Sequence, residues 1–433
     1  MIARWPTRVG QARRPGSRGA TIGPVTGLRL LFVLGGIAPG ALYPFIAVIL
    51  ESRGFEPIAI GLVTGLSSLV FALSVPGWSH LADVRFGRIG ALRIVAVGAG
   101  LTMVTFGLAW PPIVLAGMAI TYAVFQAPIG PLSDALAINA LADPERSYGR
   151  IRLLTSLAFA VTAILAGLLY DQTGYWPATV VYALACFGIA GVLVWVRDVP
   201  RADLAEYRPA ADHGRGGSMR VALAMQPRLR LVLVAIFLAH VGVIAGFTFL
   251  ALRIVELGGQ PSDVALSAAV AGFAEIPGMV VAGRIAGRVG LRGLYGLSCL
   301  VYGAAMASWV VLGDPTAIVA TRIFTGFAFA GMWVGAVLSM RVLLPERLQA
   351  TGQGLYQAVA FGLAAMVANT VGGVVFAGFG AGVVFGLAAL LLLAAAVVTL
   401  LSFPTRGELP AFPAERVPIV PEPALVIGDA GGR

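Results

Sequence analysis

The sequence predicts an all-α integral membrane protein with twelve transmembrane helices in two pseudo-symmetric six-helix bundles. Of its 433 residues, 58% are hydrophobic and 12% are charged, whereas an average soluble domain is about half apolar and about 25% charged. Apolar runs of about 20 residues recur along the chain, and each can cross a hydrocarbon core about 30 Å thick. Lipid offers the backbone no hydrogen bonds, so these runs are expected to be helices. A repeat between the two halves of the chain, described below, gives the six-plus-six arrangement.

The predicted helices fall into two groups of six. A polar arm, a short polar linker and a Pro-rich tail flank the two groups, and the arm and tail are expected to be disordered and cytoplasmic. The segments are the arm 1–26, the N-terminal bundle 27–196, the linker 197–228, the C-terminal bundle 229–402 and the tail 403–433. The predicted helices span 27–50, 57–81, 91–110, 112–141, 151–170, 177–196, 229–252, 263–286, 290–312, 316–343, 349–378 and 380–402.

The basic residues follow the topology of a membrane protein. The net charge is +10, and all 30 basic residues are arginine. Predicted loops on one side carry most of them, whereas the other side carries only Arg53 and Arg253. Arginine-rich loops lie in the cytoplasm, so both termini are expected there, with the chain in the plasma membrane. The charge therefore does not indicate a nucleic-acid partner. The arginines of the predicted cytoplasmic loops are Arg85, Arg88, Arg93, Arg146, Arg150, Arg152, Arg284, Arg288, Arg292, Arg341 and Arg347.

Several kinds of chemistry are disfavoured by the residues that are missing or scattered. Without lysine there is no P-loop lysine for ATP phosphates and no Schiff-base lysine. Cys186 and Cys299 lie in apolar runs, where cysteine behaves as a small hydrophobe. His80, His213 and His240 are far apart. We therefore expect no ATP-driven pump, no metal, no cofactor and no membrane enzyme.

The two halves of the chain repeat. Glu51 to Pro57 follows the first predicted helix, and Glu256 to Pro261 follows the seventh. Asp83 to Arg88 ends the second helix, and Gly287 to Arg292 ends the eighth. The offset is about 204 residues in both cases, and parallel repeats of this kind place a solute site between the halves near the membrane midplane.

The loop after the second helix resembles a known motif. The segment from Gly77 to Arg88 is similar to the G-x-x-x-D-R-x-G-R-R loop of the major facilitator superfamily. The resemblance implies that Asp83, Arg85 and Arg88 form a gate that holds the cytoplasmic face closed. Val84 stands where the motif often has arginine, so one charge contact is missing.

Three further stretches resemble the phenylpropionate-permease-like branch, near the sugar and nucleoside proton symporters. They are Asp134 with Tyr148 to Leu153, Ala274 to Pro277 with Gly283 and Arg284, and Ala350 to Gln357. Thr155-Ser156 departs from the Gly-Ser usual at that point in the branch. The fifth helix also lacks the Gly-Pro-rich pattern of drug exporters. The resemblance implies proton-coupled uptake, with export by proton antiport and a non-transporting sensor or scaffold as the alternatives.

Charged residues inside the predicted helices are the first functional candidates, because each costs on the order of 3 kcal/mol in a membrane. Glu275, in the eighth helix, is a candidate proton carrier, because burial favours the protonated form of a carboxyl group. The branch has a matching glutamate; a static pair with an arginine is the alternative. Arg322, in the tenth helix, is interpreted as a counter-charge for the Glu275 carboxylate or as an anchor for an anionic substrate. Snorkelling, or an ion pair with Glu275 or Asp314, is equally compatible.

Asp134, near the end of the fourth helix, is expected to form a salt bridge on the cytoplasmic side with Arg150 and Arg152 at the start of the fifth, and this pair is expected to act as a gate. Direct proton coupling by Asp134 and a purely structural pair are the alternatives. His240 is a candidate coupling residue, although an intramembrane histidine is more often a packing residue.

Polar residues of the first, fourth and eleventh helices either line a cavity or bond neighbouring helices. They are Tyr43, Tyr122, Gln126, Gln353, Tyr356, Gln357 and Asn369, with Gln126 and Gln357 preferred. Aromatic acids, nucleosides and sugars all remain possible substrates. The expected partners are a small solute, protons and the bilayer, and the chain is compatible with a monomer.

Overall fold

A computed structural model describes residues 24–141, 144–196 and 215–408. Within these ranges the chain forms helices and turns and contains no β-strand. The N-terminal half contains α1 Pro24–Leu42, α2 Ile46–Ser52, α3 Pro57–Leu81, α4 Gly87–Phe106, α5 Pro112–Gln126, α6 Ile129–Ala140, α7 Pro144–Thr173 and α8 Trp176–Val192. The C-terminal half contains α9 Arg215–Met225, α10 Pro227–Glu256, α11 Pro261–Val311, α12 Pro315–Leu343, α13 Glu346–Gln357 and α14 Ala364–Ser402.

Among the described residues, eight helical runs are long and apolar enough to cross a membrane. Three of them, Pro57–Phe106, Pro261–Val311 and Thr351–Ser402, contain 50 to 52 residues, more than twice the roughly 20 residues that one crossing needs. Each is interrupted by a glycine with positive φ, at Gly87 (67°), Gly290 (76°) and Gly380 (79°), which glycine adopts without steric cost. If each of these three runs is counted as two crossings, the other five runs as one each, and the short α8 is added, the total is twelve, which is consistent with the predicted number of helices.

Other differences from the predicted boundaries have local causes. The first helix is interrupted around Pro44, where Tyr43–Phe45 is a 3₁₀ turn. The fourth is interrupted before Ile129, next to Pro128. Proline has no N–H to donate to the preceding turn, so both interruptions are expected consequences of its position. The helix α9 lies inside the segment that the sequence predicted as a linker.

The crossings alternate in direction, which defines two sides of the molecule. The side on which α8 ends and α10 begins is here called the linker side, and the sequence predicts that it is cytoplasmic. Consequently α3 and α11 begin on the opposite side, and α7 ends there.

On the opposite side the two halves are in close contact. A Cβ added at Gly61 would lie 2.9 Å from the Cα of Gly373, and one added at Gly167 would lie 2.9 Å from the Cα of Ser262. The backbone N–H of Ser262 donates a 2.9 Å hydrogen bond to the carboxylate of Asp171. This pair places a negative charge at the positive N-terminal end of α11. The halves are thus closed against each other on the side away from the linker.

The first residues of the predicted disordered tail are packed against the C-terminal half. Phe403 is fully buried, and its ring stacks on Tyr295 with 4.3 Å between the centroids. Arg228 donates hydrogen bonds to the carbonyl oxygens of Ser402 and Phe403 and to Glu408 Oε1, at 2.6, 2.7 and 2.8 Å. The last carbonyls of a helix lack partners within the helix, and this arginine supplies donors to them. Tail residues beyond 408 lie outside the described residues.

We expect the Arg228–Glu408 pair to stabilise the fold in a pH-dependent way. The hydrogen bond from Arg228 holds the pKa of the Glu408 carboxyl below its usual value of 4.5. A carboxyl whose pKa is lowered on folding adds stability above its unfolded pKa and loses it as the pH falls through the folded value. Glu408→Gln should therefore lower the melting temperature at pH 7 by a few degrees at most, as expected for a partly exposed pair.

Thermal unfolding in detergent at a series of pH values measures this effect. The difference from wild type should vanish below the lowered pKa of Glu408. Arg228→Gln should remove the pH dependence as well, because the same pair is broken. A difference that persists unchanged at acid pH would contradict the assignment.

A cavity between the two halves

A central cavity of about 610 Å³ lies between the two halves, within the roughly 300–1,000 Å³ typical of small-molecule sites. Both halves line it, from α1 to α7 on one side and from α10 to α14 on the other. Most of the lining is apolar, and much of it is aromatic. The phenylalanines that line it are Phe71, Phe106, Phe159, Phe247, Phe329 and Phe361.

Glu275 lines this cavity from the middle of the part of α11 that precedes Gly290. It is the one carboxylate among the described lining residues, and it makes no hydrogen bond or ion pair with the described part of the chain. Tyr356 lies within electrostatic range of it. A half-buried, unpaired carboxylate in an apolar cavity is favoured in its protonated form, so the group is suited to bind and release a proton.

Arg322 lines the same cavity from α12 and is only 4% exposed. Its Nη1 donates to Thr325 Oγ1 at 2.9 Å, and its Nε donates to the Ser267 carbonyl at 3.3 Å. The guanidinium also lies over the Trp309 ring, 5.7 Å from its centroid. Arg322 therefore faces inward and does not snorkel to the surface.

Neither Glu275 nor Asp314, the two carboxylates considered as alternative partners of Arg322, pairs with it in the described structure. Within the described residues no carboxylate oxygen lies within 4.0 Å of its guanidinium. Asp314 instead caps α12, accepting from the backbone N–H groups of Thr316 and Ala317 at 3.2 Å. Aspartate is a favoured residue at the N-cap of a helix. The Asp314 carboxylate is therefore bound to the start of α12 and not to Arg322.

Four of the predicted polar candidates line the cavity: Tyr43, Tyr122, Gln126 and Asn369. Tyr122 and Gln126 do so from α5, and Gln126 Nε2 donates a hydrogen bond to the Tyr43 hydroxyl. The Tyr122 hydroxyl is buried without a partner in the described structure. Asn369 accepts a 2.7 Å hydrogen bond from Thr248 and also lies 3.5 Å from Ser68 Oγ in the other half.

The other candidates, His240, Gln353, Tyr356 and Gln357, do not line it. His240 is 1% exposed, with its Nδ1 2.9 Å from the Ile236 carbonyl and its ring against Tyr356 and Phe361. It is thus a packing residue behind the cavity wall. Gln357 is exposed. It ends α13 just before the π-helical turn Ala358–Leu363, and the wider turn rotates residues before it relative to those after it.

The residues predicted to form the gate lie on the linker side. Arg152 Nη1 is 3.4 Å from Asp134 Oδ1, so the predicted pair is present, within one half of the molecule. Arg150 is exposed and does not join the pair. Asp83 and Arg85 are exposed, Arg85 lies over the Phe86 ring, and Arg88 is partly buried. The Arg152–Asp134, Arg228–Glu408 and Arg253–Glu256 ion pairs of the described residues each lie within one half of the molecule.

One face of α3 that lines the cavity was not predicted from the sequence. It carries three small hydroxyl residues and one aromatic residue: Thr64, Ser67, Ser68 and Phe71. Their spacing of i, i+3, i+4 and i+7 is that of one helix face. Small hydroxyl residues carry little hydropathy signal, so only this spacing indicated them. In the described residues no cluster of three metal-ligating side chains was found.

A family model supports the functional class that this geometry suggests. The model of the MFS_1 like family matches residues 29–387, which is most of the chain. The chain belongs to the MFS_1 like family. Membership confirms the predicted major facilitator superfamily transporter and its multi-pass membrane location.

Known members of the superfamily resemble the chain to different extents. The maltose permease of Geobacillus stearothermophilus is 31% identical over 350 residues, covering 79% of this chain and 86% of the permease. The probable 3-phenylpropionic acid transporter of Escherichia coli (strain K12) is 33% identical over 166 residues, covering 36% of this chain and 40% of that protein. The crystal structure of nucleoside transporter NupG superposes with a TM-score of 0.71, at 14% identity, over 87% of this chain and 98% of NupG. The last likeness shows the fold alone.

Proposed function

We propose that this MFS_1 like protein is a secondary transporter that moves a small organic solute into the cell together with a proton, by alternating access. The observation that carries the proposal is Glu275, an unpaired carboxylate in the central cavity. A cavity formed by both halves of one chain is compatible with a monomer. We further propose that the chain lies in the plasma membrane with both termini in the cytoplasm, as its arginine-rich loops indicate.

Coupling follows from the position of the carboxylate. A proton can drive transport only if its binding changes the relative stability of the two open states. Glu275 lies on α11, whose N-terminal end meets α7 of the other half through Ser262 and Asp171. Protonation of Glu275 removes a buried charge from the helix that takes part in the closed contact. We propose that this favours closure around a bound solute.

The relatives widen the choice of solutes to be tested. Their names refer to maltose, 3-phenylpropionic acid and nucleosides, and the cavity volume admits all three classes.

Uptake into proteoliposomes with an imposed pH gradient tests the proposal. Maltose, uridine and an arylalkanoate such as 4-phenylbutyrate are each supplied outside, with and without a protonophore. We expect one class to accumulate above equilibrium, and the protonophore to abolish the accumulation. Expulsion of preloaded solute against its gradient would instead show proton antiport. Gradient-independent equilibration of every solute would overturn proton coupling.

A further inference from the structure

We infer that the solute is an organic monoanion with an apolar, aromatic-sized body, that its anionic group binds Arg322, and that it binds when Glu275 is protonated. This inference deepens the proposed function, on which its transport consequences rest. It depends on three observations: an incompletely paired buried guanidinium, hydroxyl and amide groups of the cavity that, apart from the Tyr122 hydroxyl, largely bond within the protein, and the charge balance of Glu275 and Arg322.

Arg322 is a buried cation without a counter-ion in the described structure. A guanidinium has five N–H donors, and the described residues accept from Nη1 and Nε, both through neutral oxygens. The Trp309 ring covers part of one face of the group. A buried charge is costly unless it is paired. Because Arg322 lines the cavity, a carboxylate entering there would supply the missing pair in the bidentate geometry that guanidinium favours.

Apart from the unpartnered Tyr122 hydroxyl, several polar groups of the lining are already hydrogen-bonded within the protein and have fewer bonds to offer a sugar. The hydroxyls of Thr64 and Ser68 donate to carbonyls of their own helix. Thr248 is bonded to Asn369, and Gln126 is bonded to Tyr43. A polyhydroxyl solute would leave several of its own groups unpaired among the phenylalanine side chains, and each unpaired buried group costs roughly 1–3 kcal/mol. An apolar body with a single charged end fits this lining better.

The charge balance sets the order of binding. With Glu275 ionised, the cavity contains one positive and one negative group, and an entering anion would add a second negative charge. With Glu275 protonated, the cavity is left with the single positive charge of Arg322, which a monoanion neutralises. The proton is therefore expected to bind before the anion, and one proton with one monoanion crosses electroneutrally.

The other ionisable side chains around Glu275 are four phenols and one histidine, and the histidine lies behind the cavity wall. These groups are Tyr302 on α11, Tyr356 on α13, Tyr43 and Tyr122 in the opposite half, and His240 on α10.

A binding experiment on the full-length protein in detergent tests the inference apart from transport. The probes are 4-phenylbutyrate, its primary amide 4-phenylbutanamide, and maltose, with affinities measured by isothermal titration calorimetry. We expect wild type to bind the carboxylate at least about tenfold more tightly than the amide. Arg322→Gln should remove this preference while leaving amide binding unchanged, and Arg322→Lys should retain part of it. Arg220→Gln, at an exposed arginine outside the cavity, is the matched control and should bind as wild type.

Each outcome is decisive. Equal affinity of wild type for the carboxylate and the amide, or tight binding of maltose alone, would overturn the anion inference while leaving proton-coupled transport intact. A carboxylate preference that survives Arg322→Gln would remove Arg322 as its cause. If Arg322→Gln does not fold, the wild-type comparison still decides whether the site selects an anion. Clear carboxylate binding without accumulation in proteoliposomes would support the anion site and reject the proposed coupling.

Discussion

Glu275→Gln is expected to abolish accumulation driven by a pH gradient while exchange of preloaded solute continues. Glutamine has the shape of a protonated glutamate but cannot release a proton. The variant is therefore held in the form that permits solute binding and the change between open states. Net uphill transport requires deprotonation on the inner side, which the variant cannot perform. Accumulation should fall to the equilibrium level.

Two assays on the same proteoliposomes measure this effect. Uptake with an imposed pH gradient reports coupling, and counterflow of labelled solute into preloaded vesicles reports exchange. Glu275→Asp keeps a carboxyl group and should retain part of the accumulation. Glu56→Gln, at an exposed carboxylate before α3, should behave as wild type in both assays. Retained gradient-driven accumulation in Glu275→Gln would show that another group carries the proton.

Gly61→Leu is expected to reduce transport by at least about tenfold, because it obstructs closure on the side away from the linker. Even a Cβ at this position would contact the Asn369 carbonyl and lie 2.9 Å from Gly373 Cα. Neither contact is the end of a flexible side chain, so the helices themselves must separate. Each 1.4 kcal/mol of destabilisation shifts a two-state equilibrium about tenfold. The variant should thus favour the state that is open on this side.

Thiol labelling distinguishes a shifted equilibrium from a folding defect. A cysteine introduced at Ser68, in the cavity, should react faster with a membrane-impermeant reagent added on the side away from the linker when Gly61→Leu is also present. The endogenous Cys186 and Cys299 are buried, so their background should be low. Gly117→Leu is the matched control, since a Cβ there meets nothing within 4 Å. Unchanged labelling and normal transport in Gly61→Leu would refute a closing role for this contact.

The site was predicted only in part. Glu275 and Arg322 were identified because a charge inside an apolar run stands out in any sequence, and both line the cavity. His240 and Gln357 stood out as polar residues inside predicted membrane helices, but neither lines the cavity. The difference arises because the sequence position of a polar residue gives its depth along a membrane helix, but not the direction in which its side chain points. Direction depends on local helix geometry, such as the π-helical turn after Gln357.

Composition, hydropathy and the internal repeat determined that the chain crosses a membrane as two similar sets of helices, because lipid enforces helices of a set length and apolar surface. The loop motif determined the superfamily. Only the tertiary structure decided which side chains share the cavity, that Asp314 caps a helix and leaves Arg322 without a carboxylate, and that Phe403 packs against Tyr295. The Asp314 cap is local, but the other results depend on contacts between residues distant in sequence. Such contacts are set by how the helices pack against one another, which hydropathy along a single helix does not record.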